Sequence, residues 1–309
     1  MSSCTKYPDL QFTQVDRSNR NVLLDLNERS HCVSPGGVSI TSEWLDFWLA
    51  SSRAEIELVW QGSSPVAFSR AVKYSNDIVP LMLVHVCVDP PFRRSGIGTR
   101  TIRRAMQRAN LQGFTAMDAI VDMSNHGSAS FLRKHRFDCL VDTVKLQASL
   151  SRSMHESTLT TGFHIRGYRP GLDTGLITSL YNEVFQDSLA FSRMTVGEVS
   201  EIERGILFDA ELIAFAENES GEVAGFVRAV HRPSDDCARI ELLGVLPRWR
   251  RAGIGSQLLC HEFRLLAAKG ISRLHLTVEN QNTAARALYQ TFGFGPVAWE
   301  RRYRRKLAY

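Results

Sequence analysis

What the sequence lacks narrows its reading first. No apolar run approaches the roughly 20 residues that a membrane-spanning helix needs, so no membrane span is expected. The opening residues 1–9 show no basic-then-apolar signal pattern, and the chain is expected to stay in the cytoplasm. The six cysteines (Cys4, Cys32, Cys87, Cys139, Cys237, Cys260) include no Cys-x-x-Cys pair. That spacing argues against a zinc site or a disulfide framework and predicts free thiols in a reducing compartment, with no metal. Excess charge is scarce too: 37 Lys and Arg against 32 Asp and Glu leave a net charge of +5. Such a modest surplus suits a polyanionic small ligand and makes nucleic acid an unlikely partner. What is present is a 309-residue chain, 44% hydrophobic, enough for about two ordinary globular cores.

The chain repeats itself. Residues 88–98 read Val-Asp-Pro-Pro-Phe-Arg-Arg-Ser-Gly-Ile-Gly, and residues 245–255 read Val-Leu-Pro-Arg-Trp-Arg-Arg-Ala-Gly-Ile-Gly. The step from Gly96 to Gly253 is 157 residues, and the same step pairs Gly113 with Gly270, Asn125 with Asn282 and Phe137 with Phe294. It holds without a gap from about residue 54 to 146, which implies a duplicated domain. The Ser/Thr-rich stretch 151–162 reads as a linker between domains at 1–150 and 163–309.

In the second copy, residues 163–168 suit a strand, 174–185 and 196–207 two helices, and 212–216 with 223–230 a hairpin. Residues 239–245 suit a further strand. Ile254, Leu258, Leu259, Phe263 and Leu266 form one helical stripe over 254–267. A strand at 274–278, a short helix at 283–291 and a closing strand over 297–307 complete an α/β arrangement, a mixed sheet flanked by helices.

The Arg-Arg-x-Gly-Ile-Gly segment lies between a strand and a helix in both copies. Glycines let the backbone approach a ligand closely, and the first amides of the helix lack internal partners and attract anions. Arg250, Arg251, Ala252, Gly253, Ile254, Gly255 and Ser256 therefore suit a pyrophosphate, as do Arg93, Arg94, Gly96, Ile97 and Gly98. The alternative is a plain strand-to-helix turn with surface arginines.

The motif Val-x-Pro-x-x-Arg-Arg-x-Gly-Ile-Gly ahead of a helix resembles the acyl-CoA signature of the GNAT superfamily of N-acetyltransferases. Asn282-x-x-Ala285-x-x-Leu288-Tyr289-x-x-x-Gly293-Phe294 resembles that family's later motif. The resemblance is stronger over 210–300 than over 54–146, and the tandem arrangement is similar to that of the mycothiol synthases and other two-domain members. It implies two tandem GNAT domains, each a mixed, mostly antiparallel sheet flanked by helices, and an N-acetyltransferase that uses acetyl-CoA. It implies that the glycine loops bind the coenzyme A pyrophosphate. Backbone at Leu243, Gly244 and Val245, and at Val86 and Val88 in the first copy, would pair with the pantetheine arm. Asn282 would belong to the cofactor site, and Tyr289 would be the acid beside the coenzyme sulfur.

Acetylating an amine requires that the amine lose its proton and that the departing thiolate gain one. Tyr289 is protonated at neutral pH and suits the second task; the alternative is a tyrosine that only packs its helix. Glu241 is the candidate base, on the face of Leu243 and Val245 by period-two alternation unless a bulge resets the phase. Its alternative is a salt-bridged strand carboxylate, with His231 and His275 as lesser candidates for the base. The first copy has Leu132, Val84 and Arg136 where the second has Tyr289, Glu241 and Gly293. The second copy is therefore expected to be catalytic and the first degenerate, with His85 or Asp118 as conceivable substitutes.

The basic tail over 301–306 is either a patch for an acidic ligand or a solvated edge strand. The acceptor expected is a primary amine of a small molecule, chosen by the segments 186–204 and 14–50. Protein amine acetylation and a non-catalytic acyl-CoA sensor stay as alternatives. The chain is expected to act as a monomer or a weak homodimer.

Overall fold

Two helices carry the sequence argument most directly. Ile97–Leu111 (α3) and Ile254–Ala268 (α7) lie 157 residues apart end for end. Each starts at a glycine in the left-handed region, Gly96 (φ 89°) and Gly253 (φ 80°), a conformation that costs any side-chain-bearing residue about 1–2 kcal/mol. On α7 the stripe Ile254, Leu258, Leu259, Phe263 and Leu266 is buried, as its spacing requires.

The computed structural model describes all residues except 1–8, 31–32, 35–37, 51–52, 75–80, 151–161, 206–207, 232–235 and 308–309. Nearly all of the expected linker thus lies outside the described residues. The chain forms two compact units, one of residues 1–140 and 300–309, the other of residues 141–299.

The first unit runs β1 (Leu10–Gln14), α1 (Arg20–Ser30), a short hairpin β2 (Val33–Ser34) and β3 (Val38–Ser39), α2 (Ser42–Ala50), β4 (Ala54–Gln61), β5 (Ser64–Tyr74), β6 (Leu81–Val88), α3, β7 (Ala116–Asp122) and α4 (His126–Lys134). The second unit opens with most of β8 (Asp138–Ser149). It continues with β9 (Phe163–Gly167), α5 (Thr174–Phe185), α6 (Val196–Glu203), β10 (Ile213–Asn218), β11 (Val223–His231), β12 (Cys237–Val245), α7, β13 (Arg273–Glu279) and α8 (Thr283–Thr291). The last strand, β14 (Gly295–Lys306), gives its second half to the first unit.

The sheet order is β1-β4-β5-β6-β7-β14 in the first unit and β8-β13-β12-β11-β10-β9 in the second. All pairs are antiparallel except β6 with β7 and β12 with β13. These are the mixed, mostly antiparallel sheets with flanking helices expected of GNAT domains.

The unit boundaries differ from 1–150 and 163–309 in one respect. β8 is the first copy's closing strand, yet from Thr143 to Ser149 it pairs with β13. β14 is the second copy's closing strand, yet from Glu300 to Lys306 it pairs with β7. The registers correspond: Ser149 faces Arg273 as Lys306 faces Ala116. A repeat alignment assigns each copy its own last strand. Hydrogen bonding and burial decide otherwise, because Val144, Leu146 and Ala148 fill the core under α7 while Tyr303 and Leu307 fill the one under α3.

The basic tail is also internal. Arg302 and Arg304 reach Asp118, which is wholly buried, at 2.5 and 2.7 Å. A buried carboxylate needs such partners. The tail thus supplies counter-charge to the first unit, and Asp118 is fully committed to it. Cys87 departs from the expected free thiols: it is disulfide-bonded.

Candidate active site

The site in the second unit begins where β12 leaves its parallel neighbour. β12 pairs with β13 only at Cys237, Ala238 and Arg239. From Glu241 onward its edge on that side has no strand partner among the described residues, so its amides and carbonyls are open to an extended ligand. Leu243, Gly244 and Val245 lie on this stretch. β6 repeats the divergence, pairing with β7 only from Leu81 to Leu83 and leaving Val86 and Val88 beyond it.

Past the strand end, Arg251 (φ 66°) and Gly253 (φ 80°) both take left-handed backbone, and Arg94 (φ 66°) and Gly96 (φ 89°) do the same in the first unit. A non-glycine residue held there stores strain of order 1–3 kcal/mol, a cost that clusters at ligand clamps. The first helical bond of α7 runs from Gln257 N to Gly253 O (3.1 Å), so the amides of Ile254, Gly255 and Ser256 have no helical acceptor. These three amides open the helix, with Ala252 in the turn before them. A Cβ on Gly255 would sit 3.2 Å from Leu288, so this glycine lets α8 press against the cradle. Ile97 and Gly98 open α3 in the same way.

Arg250 and Arg93 are not aimed outward. Arg250 Nε donates to Val245 O (3.1 Å) and Nη2 to Val184 O (3.3 Å); Arg93 bonds Val88 O (2.9 Å) and Ser30 O (3.1 Å). Each ties the loop to the strand end and to the end of α5 or α1. They hold the cradle's shape, which leaves Arg251 and Arg94 as the cradle's charges. Asn282 likewise has a structural task, its Oδ1 capping α8 at Ala285 N (3.1 Å), as Asn125 caps α4 at Ser128 N (3.0 Å).

Tyr289 is 7% exposed, its ring edge-on to Phe294 at 5.7 Å. Burial pushes its phenol up to about 12, so it stays protonated throughout the neutral range. Its hydroxyl makes no hydrogen bond among the described residues. In the first unit the position is Leu132, 5% exposed and part of the core.

Glu241 is out of phase with Leu243 and Val245, because a bulge intervenes. Leu242 pairs with Arg228 but Ile240 pairs with Ala229, leaving Glu241 opposite the break. Ala238, Ile240, Leu243 and Val245 consequently all pack toward α7, an even-to-odd switch that needs one extra residue. Leu242 packs on the opposite side. Both oxygens of Glu241 are occupied, Oε2 by Arg228 at 2.9 Å and Oε1 by Arg239. Burial pushes the carboxyl up, but the two guanidiniums outweigh it and hold Glu241 below its ordinary value. β6 has no such bulge: its pairing with β5 is unbroken from Ala67/Val88 to Tyr74/Leu81, and Val84 is buried.

Of the other expected candidates, His231 closes β11 opposite Ala238. His85 is pushed down to about 3 by burial and then by Arg70, so it is neutral, and its Nδ1 is buried without a partner. His275 Nδ1 lies 3.1 Å from Cys237 Sγ, near the start of β12 and far along the strand from the cradle. Among the described residues no group of three His, Cys, Asp or Glu side chains could hold a metal, and no helix is long and apolar enough to cross a membrane.

One feature had no signal in the repeat. A small pocket of about 20 Å³, room for one or two waters, lies on the α5–α6 side of the sheet. Leu242 and Arg228 form one wall, Tyr181, Met194 and Ile202 another, and Glu203 lines it too. Glu203 Oε1 accepts from Tyr168 Oη and from Thr174 Oγ1 (2.7 Å). Tyr168, Thr174, Tyr181, Met194, Ile202 and Glu203 precede the stretch that repeats, so no second copy marks them; Arg228 and Leu242 lie within it.

Comparison with known proteins agrees with this geometry. The acetyltransferase (GNAT) family profile matches twice, over residues 25–137 and 177–294. The chain is similar to the mycothiol acetyltransferase of Salinispora arenicola, 31% identical over 221 residues (68% of this chain, 69% of that one). It also resembles that of Clavibacter michiganensis, 25% identical over 288 residues (92% and 90%). Among solved structures, a GNAT protein from Sphaerobacter thermophilus superposes with a TM-score of 0.78 at 18% identity, covering 98% of both chains. A tandem GNAT protein from the clavulanic acid biosynthesis pathway superposes with a TM-score of 0.75 at 17% identity, covering 97% of this chain and 99% of that one. With two divergent strands, two glycine cradles and a profile match in each half, the chain belongs to the acetyltransferase (GNAT) family.

Proposed function

We propose that the chain is an acetyl-CoA-dependent N-acetyltransferase that acts on a primary amine of a small molecule, with the chemistry in the second unit. The observation that carries this reading is Tyr289: a buried, protonated hydroxyl with no hydrogen-bond partner among the described residues, on the helix that presses on the cradle. The amides of Ile254, Gly255 and Ser256, with Arg251, would hold the pyrophosphate, and the open edge of β12 would hold the pantetheine arm. Acetyl-CoA supplies the activated acetyl thioester.

Tyr289 then holds a proton for the departing sulfur, which general acid catalysis makes worth about 10²–10⁴ in rate. Glu241 stays ionised at neutral pH, with Arg228 and Arg239 on its two oxygens, and is the candidate to draw the amine's proton, directly or through water. The first unit keeps the cradle, formed by Arg94, Gly96, Ile97 and Gly98, and the open strand. It lacks the acid, so it is read as a site that holds the cofactor without turning it over or as a support for its neighbour.

Release of free thiol from acetyl-CoA, measured with the purified full chain and a panel of small amines, tests the reading. Amine-dependent thiol release supports it. Equal release with and without amine, at any amine concentration, contradicts it.

A further inference from the structure

A thiol and an imidazole meet where β12 and β13 are still paired, away from the cradle. Cys237 opens β12, and its Sγ lies 3.1 Å from Nδ1 of His275 on β13. The parallel register puts Arg273 beside Cys237 and Arg239 beside His275. Ala238 and Leu274, the residues between, fill the core under α7. Alternation therefore turns Cys237 and His275 to the opposite face of the sheet, where both are half-buried.

The surroundings are basic. Arg273 meets Asp236 at 2.5 Å, and its guanidinium is raised first by Asp236 and then by Cys237. Arg239 is bound to Glu241. On β8, Gln147 lies opposite His275 and Ser149 opposite Arg273, with Lys145 a step farther along the same face; on β11, Val230 lies opposite Arg239. The carboxylates at hand, Asp236 and Glu241, are thus each held by an arginine. A partly exposed thiol with an imidazole to take its proton, in a basic setting, is the microenvironment that makes a cysteine nucleophilic. The first unit has no such pair: the step of 157 puts Pro80 and Asp118 at these positions, and Asp118 is spent on Arg302 and Arg304. Cys260 is buried, and Cys139 is exposed with no imidazole bonded to it among the described residues.

We propose that Cys237, with His275 as its base, is a site of mixed-disulfide formation with low-molecular-weight disulfides, apart from the acetyl-transfer site and independent of that reading. The thiol proton passes to His275 Nδ1 as Cys237 Sγ attacks one sulfur of the disulfide. The S–S bond of the small molecule breaks as the new one forms, and the departing thiolate takes a proton from His275 or from water. The small disulfide is the oxidant: one of its halves leaves as a thiol and the other stays on Cys237.

The test treats the full chain with 2-hydroxyethyl disulfide at pH 7 and follows each cysteine by peptide mass spectrometry. Cys237 is expected to gain the adduct about tenfold faster than Cys139, although Cys139 is the more exposed. An unassisted thiol is only a few per cent thiolate at pH 7, and the gain from pairing is partly offset by lower intrinsic nucleophilicity. His275→Gln keeps a polar side chain but no base, so the rate at Cys237 should fall about tenfold at pH 7 while the rate at Cys139 is unchanged. At about pH 9.5, where thiols ionise unaided, the variant should recover to near the wild-type rate, a recovery that a histidine needed only for packing would not produce. A wild-type Cys237 no faster than Cys139 overturns the proposal. So does a His275→Gln rate unchanged at pH 7, or a deficit that persists at the higher pH. Should His275→Gln fail to fold, the wild-type comparison of Cys237 with Cys139 decides alone.

Discussion

The two units share a backbone plan and differ at the residues that matter for chemistry. Each has a splayed strand, a left-handed arginine, a left-handed glycine and an arginine that knots the loop to the strand end. Only the second has a phenol beside the cradle and a bulge in the reacting strand. On the proposed function, the comparison teaches that cofactor geometry and catalytic chemistry are separable: the cradle follows from backbone conformation, which both units share, while acid chemistry needs one hydroxyl, which only the second has.

The largest expected effect falls on the acid. Tyr289→Phe keeps the ring and its contact with Phe294 but removes the proton donor, and kcat should fall by about 10²–10⁴ with little change in the KM for acetyl-CoA. Leu132→Ala at the matching site should leave kcat within about twofold while costing stability, about 2–5 kcal/mol for a buried leucine. A kinetic defect from Leu132→Ala in a folded protein would break the comparison.

A second contrast lies on the helices behind the cradles. Glu262 on α7 is fully buried with both oxygens unpartnered, where α3 has Ala105. Burial and then the nearby Asp209 push its carboxyl up to about 8. A raised folded-state value means that the protein is most stable below the carboxyl's ordinary range near 4.5 and loses stability as pH climbs from there through about 8. At about 1.4 kcal/mol per unit, that is on the order of several kcal/mol. Glu262→Met should flatten the loss, so chemical denaturation at pH 5 and pH 9 should give nearly equal stabilities in the variant and clearly unequal ones in the wild type.

The smallest effect concerns the turn after the short helix. Arg136 is left-handed (φ 59°) where the second unit has Gly293 (φ 76°). Removing a penalty of about 1–2 kcal/mol, less the extra entropy that glycine loses on folding, predicts that Arg136→Gly stabilises the chain by about 0.5–1 kcal/mol. Thermal melting would show this as an upward shift, and a downward shift would sharpen the picture by assigning the Arg136 side chain a contact that outweighs its backbone strain.

Much of this could be seen from residue order alone. The stripe on α7, the left-handed glycines, the capping asparagines and the Tyr289/Leu132 contrast all depend on local spacing, which a sequence displays. What could not be seen depends on pairing across distance. Period-two counting has no means to find the bulge at Glu241, because the extra residue is visible only against β11. The exchange of β8 and β14 is hidden because the copies are interchangeable in sequence. Arg250 reads as a phosphate ligand until Val184 and Val245 are found beside it. Glu203 was invisible because Tyr168 and Thr174, which set its orientation, lie some thirty residues away.

The claim that the second unit carries the reaction while the first keeps only the cradle is tested most directly by a matched pair of cradle variants. Gly253→Val and Gly96→Val impose the same left-handed penalty at equivalent helix starts, φ 80° and 89°, so their costs in stability should be alike. Thiol release by the two folded variants at saturating amine should then differ: Gly253→Val is expected to lose turnover by about tenfold or more as the pyrophosphate amides are displaced, and Gly96→Val to keep it within about twofold. The reverse result, with turnover lost in Gly96→Val and kept in Gly253→Val, would contradict the account.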